Sequence, residues 1–419
     1  MREMKDSGIE WIGQIPTNWD VVPHKRVMHK VKEICEQYNG EDIISLTMNG
    51  VIKRDLTAGG KMPTSFDGYQ YVKPNDLLLC LFDIDVTPRC VGVVKDYGVT
   101  SPAYSRFVIH DGYYNAYYDY LLRAIDDDKV FVHLSKNLRS SLTENDFGAI
   151  KTCVPPLAEQ KRIAAFLDAE CAEIDAVLEK TRASIEEYKK LKQAVITQAV
   201  TKGIRGDRPM KDSGIEWIGE IPAEWGVVPH KRIMHKVKEI CEQYNGEDII
   251  SLTVNGVVKR DLTAGGKMPT SFDGYQYVEP NDLLLCLFDI DVTPRCVGVV
   301  RDYGVTSPAY SRFVMHDGYY NAYYDYLLRM IDDNKVFVHL SKNLRSSLTE
   351  SDFGAIKTCA PPLAEQKCIA AFLGVRCDGI DALIAKKQQY LAEIENYKKS
   401  LIYEYVTGKK EVKTSVLAD

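Results

Sequence analysis

From Glu159 to about Thr201 the chain contains neither proline nor glycine, and its apolar residues recur in alternating steps of three and four. Leu167, Cys171, Ile174, Leu178, Ile185, Tyr188 and Val195 trace one face, with Thr181 and Lys192 in the gaps. That is the spacing of a coiled-coil seam, and it predicts one helix of roughly 40 residues and about 60 Å. A second run follows the same rule through Leu373, Cys377, Ile380, Ile384, Leu391, Ile394 and Leu401, with Lys387 in the gap. A rod this long outruns a folded domain of the about 155 residues that precede it. The two helices are therefore expected to pair with each other, and Gly203 with Gly206 to end the first.

Elsewhere the pattern is mixed. Ile43 to Leu56 reads as two strands around Asn49-Gly50, a strong hairpin signal. Asp76 to Ile84 is expected to be a buried strand, and Val91 to Ile109 a strand pair. Asn115 to Asp128 reads as a short amphipathic helix whose Tyr118, Leu121, Leu122 and Ile125 face the core.

The dominant feature is a repeat. MKDSGIEWIG at Met4 returns at Met210, and the offset of 206 holds without insertion to the end of the helices. From Met4 to Glu159 there are 14 differences in 156 positions; beyond that point the copies diverge sharply. Within Met4 to Glu159 only Lys73/Glu279 reverses a charge. A period this long excludes a solenoid, whose units are about 20–50 residues. The order is therefore domain, helix, domain, helix: 1–155, 156–205, 206–361 and 362–419.

Composition changes the picture little. With 45% hydrophobic and 27% charged residues in 419, the chain is globular and long enough for several domains. It has no apolar run fit to cross a membrane and no leader-like start, so a cytoplasmic location is expected. The eleven cysteines stand singly within apolar runs and read as reduced thiols. A net charge of −6 gives no bulk attraction to nucleic acid, so any such site must be a local patch.

Catalytic signatures are missing. LTAGGKM at Leu56 to Met62 lacks both the first glycine and the hydroxyl of a phosphate loop. There is no GxSxG elbow and no HExxH, and no metal ligands stand at zinc spacing. Val154-Pro155-Pro156-Leu157 lacks the polar and aromatic ends of an amino-methyltransferase loop. The chain is expected to be no enzyme by itself, with no metal and no cofactor of its own.

Several segments together resemble the specificity (S, HsdS-type) subunit of type I restriction–modification systems. They are SGIEWIGQIPTNW (Ser7 to Trp19), YVKPNDLLL (Tyr71 to Leu79) and PPLAEQKRIAAFLD (Pro155 to Asp168), with AVTKG (Ala199 to Gly203) closing the helix. The second copy supplies PPLAEQKCIAAFL and YVTGKK. The resemblance covers essentially the whole chain. It implies an α+β architecture: two mixed α/β target-recognition domains separated by two long helices in an intramolecular antiparallel coiled coil, pseudo-twofold symmetric. It also implies a bipartite double-stranded DNA site, two methyltransferase (M) subunits docked on the helices, and restriction (R) subunits in the full complex. S-adenosylmethionine, ATP and Mg belong to those partners. The departure from the family is that the two recognition domains are nearly identical, which predicts an inverted-repeat site. The rival reading is a protein-binding scaffold with two identical domains on a coiled-coil spacer.

Residues 1–155 hold 18 basic and 21 acidic side chains, so a DNA-facing patch requires segregation. Three acid-poor segments are the candidates. Lys53, Arg54 and Lys61 flank Gly59-Gly60; Arg89 leaves the buried strand, with Tyr104 and Arg106 nearby; and Lys136, Asn137 and Arg139 lie in SKNLRSS. The second copy repeats them as Lys259, Arg260 and Lys267, then Arg295, Tyr310 and Arg312, then Lys342, Asn343 and Arg345. For each the plain alternative is a solvated loop, and for Arg106 an interior pair with Asp83 or Asp85.

Overall fold

The computed structural model describes residues 2–48, 50–57, 63–135, 140–254, 256–263, 269–293, 295–341 and 346–413. The chain forms two compact units, Met1–Arg182 with Gln389–Asp419, and Ala183–Gln388. The division falls inside both long helices, so each unit joins one globular domain to half of each helix.

In the first unit the strands are β1 (Met4–Asp6), β2 (Gln14–Pro16), β3 (Asp20–Pro23), β4 (Met28–Val31), β5 (Ile44–Thr47) and β6 (Gly50–Lys53). They continue with β7 (Gln70–Val72), β8 (Leu77–Leu79), β9 (Val91–Val93), β10 (Gly98–Thr100), β11 (Ser105–Ile109) and β12 (Lys151–Val154). The helices are α1 (Asn115–Asp127), α2 (Val130–Leu134), α3 (Glu144–Ala149) and the long α4 (Leu157–Lys202). The central sheet is antiparallel in the order β4-β11-β8-β9.

β8 is buried on both faces, which is why its sequence is a continuous apolar run. Leu77 and Leu79 enter the main core with Tyr117, Leu121 and Ile125 of α1, while Leu78 joins a smaller cluster with Ile44, Val51 and Val72. The expected hairpin is present, with Thr47 opposite Gly50. The expected strand pair over Val91 to Ile109 is corrected. Three strands lie there, and each pairs elsewhere: β9 with β8, β10 with β7, and β11 with β4 and β8. α3 opens on a capping box in which Thr143 and Asp146 satisfy each other's backbone N–H.

The second unit repeats this order, with α5 (Asn321–Asp333), α6 (Val336–Leu340), α7 (Glu350–Ala355) and the long α8 (Leu363–Val406). Its sheet has the same antiparallel connectivity between the strands Met234–Val237, Ser311–Met315, Leu283–Leu285 and Val297–Val299.

The long helices run antiparallel within each unit. In the first, Asp175 pairs with Lys398 at 2.6 Å and Arg182 with Glu395 at 2.5 Å, so one number falls as the other rises. In the second, Lys192 pairs with Asp381 at 2.6 Å, and the Lys387 ammonium lies 5.7 Å from the Tyr188 ring centroid. The predicted seam splits into two roles. Leu167 and Cys171, like Leu373 and Cys377, are buried in the domain cores. Leu178 and Ile185 are buried along the helices, while Ile384, Leu391 and Ile394 are half-buried, because a two-stranded coil covers only one side of each helix.

The PPLAEQ motif ties each long helix to its domain. Glu159 pairs with Arg2 at 2.6 Å and accepts the Trp19 indole N–H at 3.0 Å, with Arg2 stacked over that ring. Gln160 accepts from the Tyr114 N–H and donates to the Pro155 carbonyl, both at 2.8 Å. Glu365, Arg208, Trp225 and Gln366 repeat the arrangement in the second unit. All eleven cysteines are free, and all but Cys368 are buried. Among the described residues no helix is long and apolar enough to cross a membrane.

Candidate nucleic-acid interface

The structure separates the predicted contacts into three groups. Arg106 and Arg312 are corrected from surface cations to interior ones. Arg106 is 3% exposed. Its Nε lies 2.6 Å from Asp76 Oδ2, and Nη1 donates to the Tyr71 carbonyl at 2.9 Å. Arg312 binds Asp282 and the Tyr277 carbonyl in the same way. Their acid is neither Asp83 nor Asp85 but the buried carboxylate before β8. A charge at this depth must be paired, and this pair ties β11 to β7 and β8.

Arg89 and Arg295 are partly committed. Arg89 lies 3.2 Å from Asp127 and 3.8 Å from Asp126 at the end of α1. Arg295 lies 3.4 Å from Asp333 and donates to the Val254 carbonyl at 3.2 Å. Tyr104 and Tyr310 are half-buried against the small clusters, and burial raises their hydroxyl pKa.

Lys53 and Lys259 are exposed, and each is held by an aspartate, Asp42 or Asp248, at 2.7 Å. That contact raises their ammonium pKa. Arg54 and Arg260 follow them, exposed and without an ion pair among the described residues. Lys61, Lys136, Asn137 and Arg139, with Lys267, Lys342, Asn343 and Arg345, lie outside the described residues.

Sequence reasoning missed the most basic exposed stretch. Residues 25–32 carry Lys25, Arg26, His29, Lys30 and Lys32 without an acid, and all five are exposed. The second copy presents Lys231, Arg232, His235, Lys236 and Lys238 in the same state. Four full cations in eight positions was the available signal. The stretch runs from a 3-10 turn at His24–Arg26 onto β4, an edge of the central sheet. Lysines also protect an edge strand from unwanted pairing, so structure alone gives them one reason to be there. The His29 ring stacks on His110 at 4.7 Å. Below them opens a depression of about 400 Å³ lined by Lys25, His29, Lys30, Phe107 and Phe147, with Glu144 at 3.3 Å from Lys30. The second domain has the same depression, of about 580 Å³.

At its floor His24 is fully buried against Phe147, and burial pushes its pKa down to about 4; His230 matches it against Phe353. Both imidazoles are neutral core groups, not part of a cationic surface. Among the described residues no group of three or more His, Cys, Asp or Glu is placed to hold a metal ion. Around this depression exposed cations stand beside flat rings, a set of groups suited to contact a polyanion.

The fold defines a class: a chain of two near-identical domains, each seated on an antiparallel helix pair. Several known proteins are similar to the chain. Over 96% of both chains it is 24% identical to a protein of Methanocaldococcus jannaschii assigned as the MjaX specificity subunit of a type I restriction enzyme. It is 27% identical, over 64% of each chain, to the MjaVIII type I specificity subunit of the same organism. Among solved structures it shares its fold, at TM-score 0.70 and 15% identity, with a chain from work on complex assembly and conformational transition of the type I R-M system. That match covers 94% of this chain and 99% of the other. No family model matches the sequence. The chain's curated relatives are thus specificity subunits of type I restriction enzymes, the family its motifs resemble.

Proposed function

We propose that this chain is the non-catalytic DNA-specificity subunit of a type I restriction–modification complex, and that its two domains read the two halves of one duplex site. The observation that carries the reading is the exposed cation stretch Lys25–Lys32, repeated without loss at Lys231–Lys238. Phosphates contacted from this stretch and from Arg54 and Arg260 fix the register of each domain; amides and arginines of neighbouring loops read base edges. Because the domains differ so little, the two half-sites carry the same bases, on opposite strands.

The helices serve as docking surfaces for two methyltransferase subunits, which hold S-adenosylmethionine; restriction subunits, using ATP and Mg, complete the assembly. One pattern supports two equivalent docking surfaces. The antiparallel register brings Val177 level with Tyr397 in the first unit and Leu191 level with Leu383 in the second. All four are exposed, and an offset of 206 relates one pair to the other. Solvent-facing apolar pairs kept through otherwise diverged helices mark a protein contact.

The test is binding of the full chain to long duplex DNA across a salt series. Affinity falling steeply with salt supports the reading. Salt-independent or absent binding, alone and with the methyltransferase subunit, favours the protein-binding scaffold.

A further inference from the structure

The two halves differ most along the helices, and one difference opens a pocket. In the first unit Tyr405, near the end of α8, lies on Phe166 of α4 with ring centroids 4.5 Å apart. The acids Glu170 and Glu404 are among the charges acting on its hydroxyl. At the offset of 206, Phe166 becomes Phe372, Tyr405 becomes Ala199, Glu170 becomes Arg376 and Glu404 becomes Gln198. The second unit has therefore kept the phenylalanine floor, lost the ring that covers it, and replaced both acids.

Phe372 is left 39% exposed. Around it lies an open pocket of about 300 Å³, lined by Ala199, Gln198, Arg376 and the linker from Gly203 through Arg205 to Gly206. Arg205 and Arg376 are exposed and make no ion pair among the described residues. The size is at the lower end of the about 300–1,000 Å³ of ligand pockets.

We propose that this pocket docks an acidic segment of a partner protein, which inserts one aromatic side chain against Phe372. Two observations select that occupant. The filled half shows which group suits the floor, since a tyrosine ring occupies it there. The exchange of Glu170 for Arg376, with Arg205 beside it, gives the rim the charge that carboxylates complement; guanidinium groups bind carboxylates in a bidentate, directional way. An aromatic anchor in a pocket rimmed by arginine is also the usual form of an interface hot spot. Among the described residues the site occurs once, unlike the two globular domains and the two equivalent helix surfaces. It gives an internally duplicated protein one asymmetric handle.

The experiment uses the full-length chain and a fluorescent peptide, Glu-Glu-Tyr-Glu-Glu, titrated by anisotropy at low salt. The controls are Glu-Glu-Ala-Glu-Glu and Lys-Lys-Tyr-Lys-Lys. One saturable site per chain is expected, with neither control binding comparably. Ala199→Tyr rebuilds the filled half and should weaken binding about tenfold or more. Arg376→Glu, a surface change that leaves packing alone, should do the same. Absence of saturable binding up to about 1 mM peptide would overturn the proposal. So would equal binding of the lysine peptide, a stoichiometry of two, or indifference to both substitutions. None of these readouts depends on DNA binding, so the proposal and the DNA reading fail separately.

Discussion

The hydroxyl of Tyr117 donates to the backbone carbonyl of Val406 at 2.7 Å, joining α1 of the first domain to the last turn of α8, 289 positions away. Tyr323 makes the same bond to Val200 in the second unit, at 2.8 Å. Both phenols are fully buried, and burial holds their pKa well above the ordinary tyrosine value. Each domain is thus closed by the end of a long helix that begins at the other copy's PPLAEQ motif.

Tyr117→Phe should therefore cost about 1 kcal/mol, since it removes a buried hydrogen bond and leaves the Val406 carbonyl only the weaker Cys153 thiol, at 3.4 Å. Tyr323→Phe should cost the same in the second unit. Hydrogen exchange resolved along the chain is the suitable measurement. The loss should fall on α1 and the end of α8 for the first variant, and on α5 and the end of α4 for the second.

Stability should also depend on pH through His24 and His230. Each pKa is about 4 in the folded protein, against an ordinary 6.5, because burial disfavours the charged ring. The unfolded chain then binds the proton more readily. Stability is full above about pH 6.5, is lost as the pH falls toward 4, and changes no further through these groups below that. The shift corresponds to about 3 kcal/mol for each histidine. Melting followed between pH 7 and 4 should show this slope, and His24→Gln with His230→Gln should flatten it.

The second unit carries a weakness that the first lacks. Tyr120 donates to Asp168 at 2.7 Å, where the second copy has Gly374, so Tyr326 has lost this partner. Glycine inside a helix also costs about 1 kcal/mol relative to alanine. Gly374→Asp should stabilise the second unit by about 1–2 kcal/mol, combining helix propensity with the restored hydrogen bond. Slower exchange along the first half of α8 is the expected observation.

Much of this was legible in the sequence, for identifiable reasons. The repeat, the long helices and the buried run at β8 follow from identity and periodicity, which are local properties. The partner of Arg106 was not legible. Asp76 reaches it only because β8 and β11 pair, and an acid-poor neighbourhood reads as surface when such pairing is unknown. The two roles of the seam were hidden likewise, since Leu167 meets a domain core and Leu178 a helix at the same heptad spacing. The basic stretch at Lys25 was legible and overlooked. The open pocket at Phe372 becomes visible only once the antiparallel pairing brings Phe166 and Tyr405 together.

If the basic stretch contacts phosphates, its loss should show in the salt dependence of binding. Lys25→Ala and Arg26→Ala should each reduce the slope of log affinity against log salt by about 1, uniformly across DNA sequences. Lys231→Ala and Arg232→Ala should match them. Arg106→Ala should instead unfold its domain's sheet, because it leaves Asp76 as an uncompensated buried charge.

The central claim is that two near-identical domains read the same half-site twice. The direct measurement is mapping of methylated adenines in DNA modified by the chain together with its methyltransferase subunit. The account predicts one bipartite motif whose halves are inverted copies of each other, with a fixed number of unspecified bases between them. A motif with two unrelated halves, or one without a second half, would contradict it.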